Sequence, residues 1–184
     1  MAILKIARMG HPVLRQTAAA VANPADPAIR RLVADMVETM IDANGAGLAA
    51  PQVHVPLRVV VFQAPGERSD PGLAEDESFD HTAPLTVLVN PQIEIVGAER
   101  ETGWEGCLSV PGLRGQVERA AHIRYRGFDL DGKLVERSAR GFHARVVQHE
   151  VDHLDGVLYP SRMGDLSQLI FESESRHWAK GEDE

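Results

Sequence analysis

A His-Glu-x-x-His pentad, His149-Glu150-Val151-Asp152-His153, constrains this chain more than any other stretch. In a helix, residues four apart lie one turn above each other, so the two imidazoles can converge on one metal ion with Glu150 beside it, within reach of a water proton. The surrounding sequence agrees with a helix. Gly141 and Gly156 bracket the run, and Phe142, Val146, His149 and His153 share one stripe at spacings of four, three and four. A hydrolytic metal centre usually takes three protein ligands and leaves a position for water, so a third ligand is required. The extension that would supply another histidine is missing, because Gly156 fits it but position 159 is Tyr. Glu172 and Glu174 are candidates further on, and the only cysteine, Cys107, is a stronger one.

With 184 residues, 43% of them hydrophobic, the chain has apolar material for one core, and it reads as a single catalytic domain over residues 1–184. One cysteine excludes an internal disulfide framework, which fits a reducing compartment. The first residues lack the apolar run of a signal peptide or membrane helix and the Arg and Ser of a transit peptide, so a cytoplasmic protein is expected. A net charge of −8 with no block of Lys or Arg argues against nucleic acid or an anionic membrane as the main partner.

Asp26-Pro27 marks a helix start, with Asp26 as N-cap and Pro27 at the first helical position. Ile29, Leu32, Val33, Met36, Val37, Met40 and Ile41 then follow amphipathic spacing up to Asn44-Gly45. From Gly45 to Gln52 the residues are small, and glycine there allows a close approach to another backbone or a ligand. Gln52 adds a neutral amide that can donate to an oxyanion without changing the charge at a metal. His11 reads as a surface turn residue. Strands are expected at Leu57 to Phe62, at Leu85 to Val89 and Gln92 to Val96 joined through Asn90-Pro91, and at Ala121 to Phe128, which turns at Asp131-Gly132 into Leu134 to Ser138. Ala64 to Pro84 reads as a long exposed loop, Gly103 to Arg114 as a shaped loop around Cys107, and Asp165 to Lys180 as a terminal helix.

Three stretches, Gly45-Ala46-Gly47-Leu48-Ala49-Ala50-Pro51-Gln52, Glu105-Gly106-Cys107-Leu108-Ser109 and Gln148-His149-Glu150-Val151-Asp152-His153-Leu154-Asp155-Gly156, resemble in order the signature motifs of the peptide deformylase family. The resemblance runs from about Pro27 to Tyr159. It implies an α+β fold with antiparallel sheets around a central metal-binding helix. It also implies one divalent metal ion held by Cys107, His149 and His153, Fe²⁺ in the cell and replaceable by Zn²⁺, Ni²⁺ or Co²⁺. The activity implied is removal of the N-terminal formyl group from formyl-methionyl polypeptides emerging from the ribosome, with release of formate. On this reading Glu150 moves the proton, while the Gln52 amide and the backbone N–H of Leu108 meet the oxyanion. Ala46 and Gly47 are expected to bind the peptide backbone. Phe142 and Val146 are expected to line the pocket for the methionine side chain, where an aromatic ring suits a polarisable thioether.

Two other classes share part of this pattern. A metallopeptidase that cleaves internal bonds carries the same pentad but would take its third ligand after His153. A non-catalytic metal-binding protein needs the ligands but neither Glu150 nor Gln52.

Overall fold

The computed structural model of the chain describes residues 2–65 and 82–178. Its helices are α1 (Pro27–Asp42), α2 (Gly141–Leu154) and a short α3 (Ser175–Trp178). The strands are β1 (Gly47–Ala49), β2 (Val59–Ala64), β3 (Ala83–Ile95), β4 (Arg100–Cys107), β5 (Val110–Ala120), β6 (His122–Phe128), β7 (Leu134–Arg140) and β8 (Leu169–Phe171). Among the described residues they form a five-stranded sheet, in the order β1-β2-β3-β6-β7, and a three-stranded sheet, β4-β5-β8. Every pairing between these strands is antiparallel. The fold is α+β, as expected.

Strand β2 explains the layering. Val59, Val60, Val61 and Phe62 are all fully buried, and alternation sends them to opposite faces of the sheet. Val59 and Val61 pack with Ile29, Val33, Met36 and Met40 of α1, whereas Val60 and Phe62 pack with Ala144, Val146, Val147 and Leu154 of α2. Truncating Met36 or Met40 to Ala would cost about 2–5 kcal/mol, the range for large-to-small changes in a closed core. Helix α1 starts as the sequence predicts, with the Asp26 carboxylate accepting from Ala28 N at 2.7 Å. Its stripe is narrower than expected, because Ile41 is 59% exposed.

Helix α2 lies between the two sheets. Apolar contacts hold it to the five-stranded sheet, and polar ones hold it to the other: Gln148 Nε2 donates to Ala120 O at 3.0 Å while Ala120 N donates to Gln148 Oε1 at 3.1 Å. The helix is followed by Gly156 at φ +74°, where a Cβ would fall 2.7 Å from the carbonyl carbon of Arg15, so backbone conformation and space both require glycine there.

Four expectations need correction. Gly103 to Arg114 is not a loop but the tip of the β4–β5 hairpin, which turns at Leu108-Ser109. The expected strands on either side of Asn90-Pro91 are one strand, β3, whose register shifts between Val89 and Gln92. Asn90 takes a positive φ there, and its side-chain amide pairs with both Val21 N and Val21 O at 2.9 Å, which satisfies backbone groups at a point where proline cannot donate. The expected C-terminal helix over 165–180 is mostly something else: a helical turn at Leu166–Gln168, strand β8 paired with Leu113–Gly115 of β5, a further turn, and only then α3. Finally, strands extend into both ends of the expected 64–84 loop, to Ala64 and from Ala83, while residues 66–81 lie outside the described residues.

His11 is exposed as expected, and its Nδ1 accepts from Val13 N at the head of a short helical turn. Among the described residues, no helix is long and apolar enough to cross a membrane.

Candidate metal centre

The tip of the β4–β5 hairpin meets the middle of α2, and there the ligand atoms of Cys107, His149 and His153 come within 4.8 Å of one another. Helix periodicity supplies the two histidines, whose rings sit edge to face at 4.8 Å between centroids. Cys107 closes β4, half-buried, with Sγ 3.4 Å from His153 Nε2. Its sulfur also accepts from Ser109 N at 3.4 Å and from Gln52 Nε2 at 3.6 Å. Glu172, one of the alternative third ligands, reaches the mouth of the cleft but does not join the cluster, and Glu174 lies on an exposed turn.

Two residues before Cys107, and on the same side of β4, Glu105 is buried at 4% exposure. Its Oε2 lies 2.8 Å from His149 Nδ1, and it pairs in bidentate fashion with Arg119 at 2.8 and 3.0 Å. Arg145 donates to its Oε1 at 3.0 Å. Arg119 continues the network to Asp152 at 2.5 Å, and Arg162 closes it on Asp152 at 2.7 Å. Burial by itself would raise the Glu105 pKa, but the hydrogen bonds from Arg119 and His149 outweigh it and hold the carboxyl well below the usual range. An anionic Glu105 keeps the proton of His149 on Nδ1 and turns Nε2 toward the cluster. Burial likewise opposes charge on His149, yet Cys107 and Glu105 outweigh it and raise its pKa well above the ordinary value. The centre therefore favours positive charge at this point. Burial, followed by the charges of His149 and Arg119, keeps His153 neutral, with a lone pair available to an ion. The ring of Tyr159, at the position where a third histidine was sought, stacks on His149 at 6.2 Å.

Glu150 is 3% exposed, and its Oε2 has no hydrogen-bond partner among the described residues, although it borders the cleft. Burial pushes its pKa up to about 7, with the positive charge of His149 opposing and Glu105 reinforcing the shift. A buried, unpartnered carboxylate oxygen beside a thiol and two imidazoles fits a site built for an ion and its water. Gly47 is what lets Glu150 lie there: a Cβ at Gly47 would stand 2.6 Å from Glu150 Cδ and 2.8 Å from its Cγ. Gln52 is 1% exposed, and its Oε1 accepts from Ala49 N at 2.8 Å, so its amide N–H groups face Cys107 and Ser109.

These groups open into a cleft of about 790 Å³ whose walls include Ala46, Gly47, Gln52, Leu108, Phe142 and Val146. Cys107, His149 and Glu150 border it too, while His153 stands behind as a buried member of the cluster and Glu174 does not reach the cleft. The sequence reading missed the carboxylate behind His149. Glu105 lies in the second of the three motif stretches, and alternation with Cys107 singles it out only once that stretch is seen to be strand β4.

A sequence model of the family described as Polypeptide deformylase matches residues 3–168. Peptide deformylase 2 of Bordetella bronchiseptica is 50% identical over 166 residues, 89% of each chain. The solved structure of an Ehrlichia chaffeensis peptide deformylase in complex with actinonin superposes with a TM-score of 0.82 at 31% identity, covering 100% of this chain and 99% of that one. A Met-Ala-Ser-bound class I type b peptide deformylase from Acinetobacter baumannii gives 0.76 at 38% identity, covering 88% and 99%. With its signature motifs converging on one cleft, the chain belongs to the peptide deformylase family, metal-dependent hydrolases that remove the formyl group from nascent polypeptides.

Proposed function

We propose that Cys107, His149 and His153 hold one divalent ion and that Glu150 is the proton carrier in the hydrolysis of formyl-methionyl peptides. The observation that carries this reading is the unpartnered oxygen of Glu150 in the cleft beside the three ligand atoms. Held there, the ion would supply Lewis-acid activation of water and of the formyl carbonyl. Thiol and imidazole donors suit Fe²⁺, which we take as the ion in the cell, and also Zn²⁺, Ni²⁺ and Co²⁺.

Glu150 accepts the water proton and returns it to the amine nitrogen as the C–N bond breaks, a role that needs one carboxyl within reach of both groups. The Gln52 amide and the backbone N–H of Leu108 donate to the oxyanion of the tetrahedral state. Among the described residues strand β1 is an edge strand that pairs only with β2, and its Gly47 borders the cleft with the preceding Ala46. An extended peptide can add to that edge, with its first side chain against Phe142 and Val146. The Met-Ala-Ser-bound relative supports a peptide that begins with methionine. We place the reaction in the cytoplasm, on chains leaving the ribosome.

Formate release from formyl-Met-Ala-Ser tests the activity. Turnover of that peptide, with an unformylated peptide of the same length left intact, is the expected result. Cleavage of internal peptide bonds without formate release would favour the metallopeptidase reading.

A further inference from the structure

Ser109 is fully buried at the turn between β4 and β5, and its three polar groups are directed at the site or at what holds it. Its Oγ accepts from Gln52 Nε2 at 3.1 Å, and its N–H donates to Cys107 Sγ at 3.4 Å. Its carbonyl accepts from Met9 N at 2.7 Å, two residues beyond Ala7, whose N–H donates to Gln52 O at the same distance. One short N-terminal stretch thus joins the backbones of Gln52 and Ser109 and fixes their separation.

The Gln52 amide has two N–H groups and one carbonyl to place. Ala49 N takes the carbonyl at 2.8 Å, which settles which end of the amide faces the site. Ser109 Oγ takes one N–H, and the other is left on the side of Cys107 Sγ, 3.6 Å away. Were the hydroxyl absent, the Ala49 contact alone would hold the amide, which could then rock about that contact, so the direction of the remaining N–H would be less closely fixed. An oxyanion donor contributes to the extent that it is aimed beforehand at the place where charge develops.

We infer that Ser109 is a positioning residue, whose hydroxyl aims the Gln52 amide at the developing oxyanion. This rests on the reading of Gln52 as an oxyanion donor, and the experiment separates the two. Steady-state kinetics on formyl-Met-Ala-Ser, with metal content, are measured for wild type, Ser109→Ala, Gln52→Ala and the double variant. Gln52→Ala should lose about 10²-fold or more in kcat. Ser109→Ala should lose about tenfold in kcat, with KM within about twofold and full metal content, because the interaction matters only in the transition state. In the double variant the serine change should add nothing to the loss from Gln52→Ala.

Unchanged kcat in Gln52→Ala would overturn both readings. A full loss in Gln52→Ala with none in Ser109→Ala, or losses that multiply in the double variant, would overturn the role of Ser109 alone. Loss of metal from Ser109→Ala would also overturn it, since the serine would then act through the Cys107 sulfur. Ser109→Thr keeps the hydroxyl and should recover most of the kcat lost in Ser109→Ala; equal loss in both would count against the hydroxyl.

Discussion

Glu105 Oε2 lies 2.8 Å from His149 Nδ1, while its other oxygen accepts from both Arg119 and Arg145. One buried carboxylate thus orients an imidazole of the metal centre and joins the second sheet to α2. Glu105→Gln replaces an anion with a neutral amide, and metal affinity should fall about 10–100-fold, as measured by chelator competition. Unchanged affinity would show that packing alone orients the ring. The same carboxyl has a depressed pKa in the folded protein, so its contribution to stability is complete above the unfolded value of about 4.3 and is lost as the pH falls through the folded one. Thermal melts of the metal-free proteins should show the gap between wild type and Glu105→Gln constant from pH 7 to about pH 5 and narrowing as the pH falls below about 4.

Gly47→Ala places a methyl group 2.8 Å from Cγ of the buried Glu150 side chain, which must give way. The carboxyl should shift by a few tenths of an ångström or more, with a loss of about tenfold or more in kcat. Metal content should stay full, because none of the three ligands moves. Wild-type kcat in this variant would show that Glu150 tolerates displacement.

Glu150→Gln should retain the ion and lose about 10²-fold or more in kcat, since the amide can neither accept nor return the proton. Metal analysis and kinetics on the same sample decide it, and departure of the ion with the carboxylate would make Glu150 a ligand.

Phe142 borders the cleft one turn before Val146, with which it packs on the core side of α2. Phe142→Ala should lose about tenfold in kcat/KM on formyl-Met peptides and less on formyl-Ala peptides, because an alanine substrate leaves the ring little to touch. Equal losses on the two substrates would place the first side chain elsewhere.

The two long helices were legible because each follows a 3.6-residue apolar or ligand period and has chemical signals at its ends: Asp26-Pro27 for α1 and the two glycines around α2. The β4–β5 hairpin was not legible. Its inward-facing side includes Glu105 and Arg119, which are buried as a pair with further partners in Arg145, His149 and Asp152, so the apolar alternation that betrays a strand is broken. Leu169-Ile170-Phe171 offers too short an apolar run to distinguish helix from strand, and its partner Leu113–Gly115 lies far away in sequence. At the candidate metal centre, the pentad and the lone cysteine pointed to the three residues whose ligand atoms the fold brings together. The supporting shell was hidden because Glu105 and His149 are separated by 44 residues, and no local pattern joins them.

In our proposal Cys107 completes the metal centre begun by His149 and His153. Metal content of Cys107→Ala, purified beside the wild type and assayed for formate release, tests it most directly. About one ion per wild-type chain is expected and, in the variant, loss of most of the metal together with nearly all activity. Stoichiometric, tightly held metal in Cys107→Ala would contradict it.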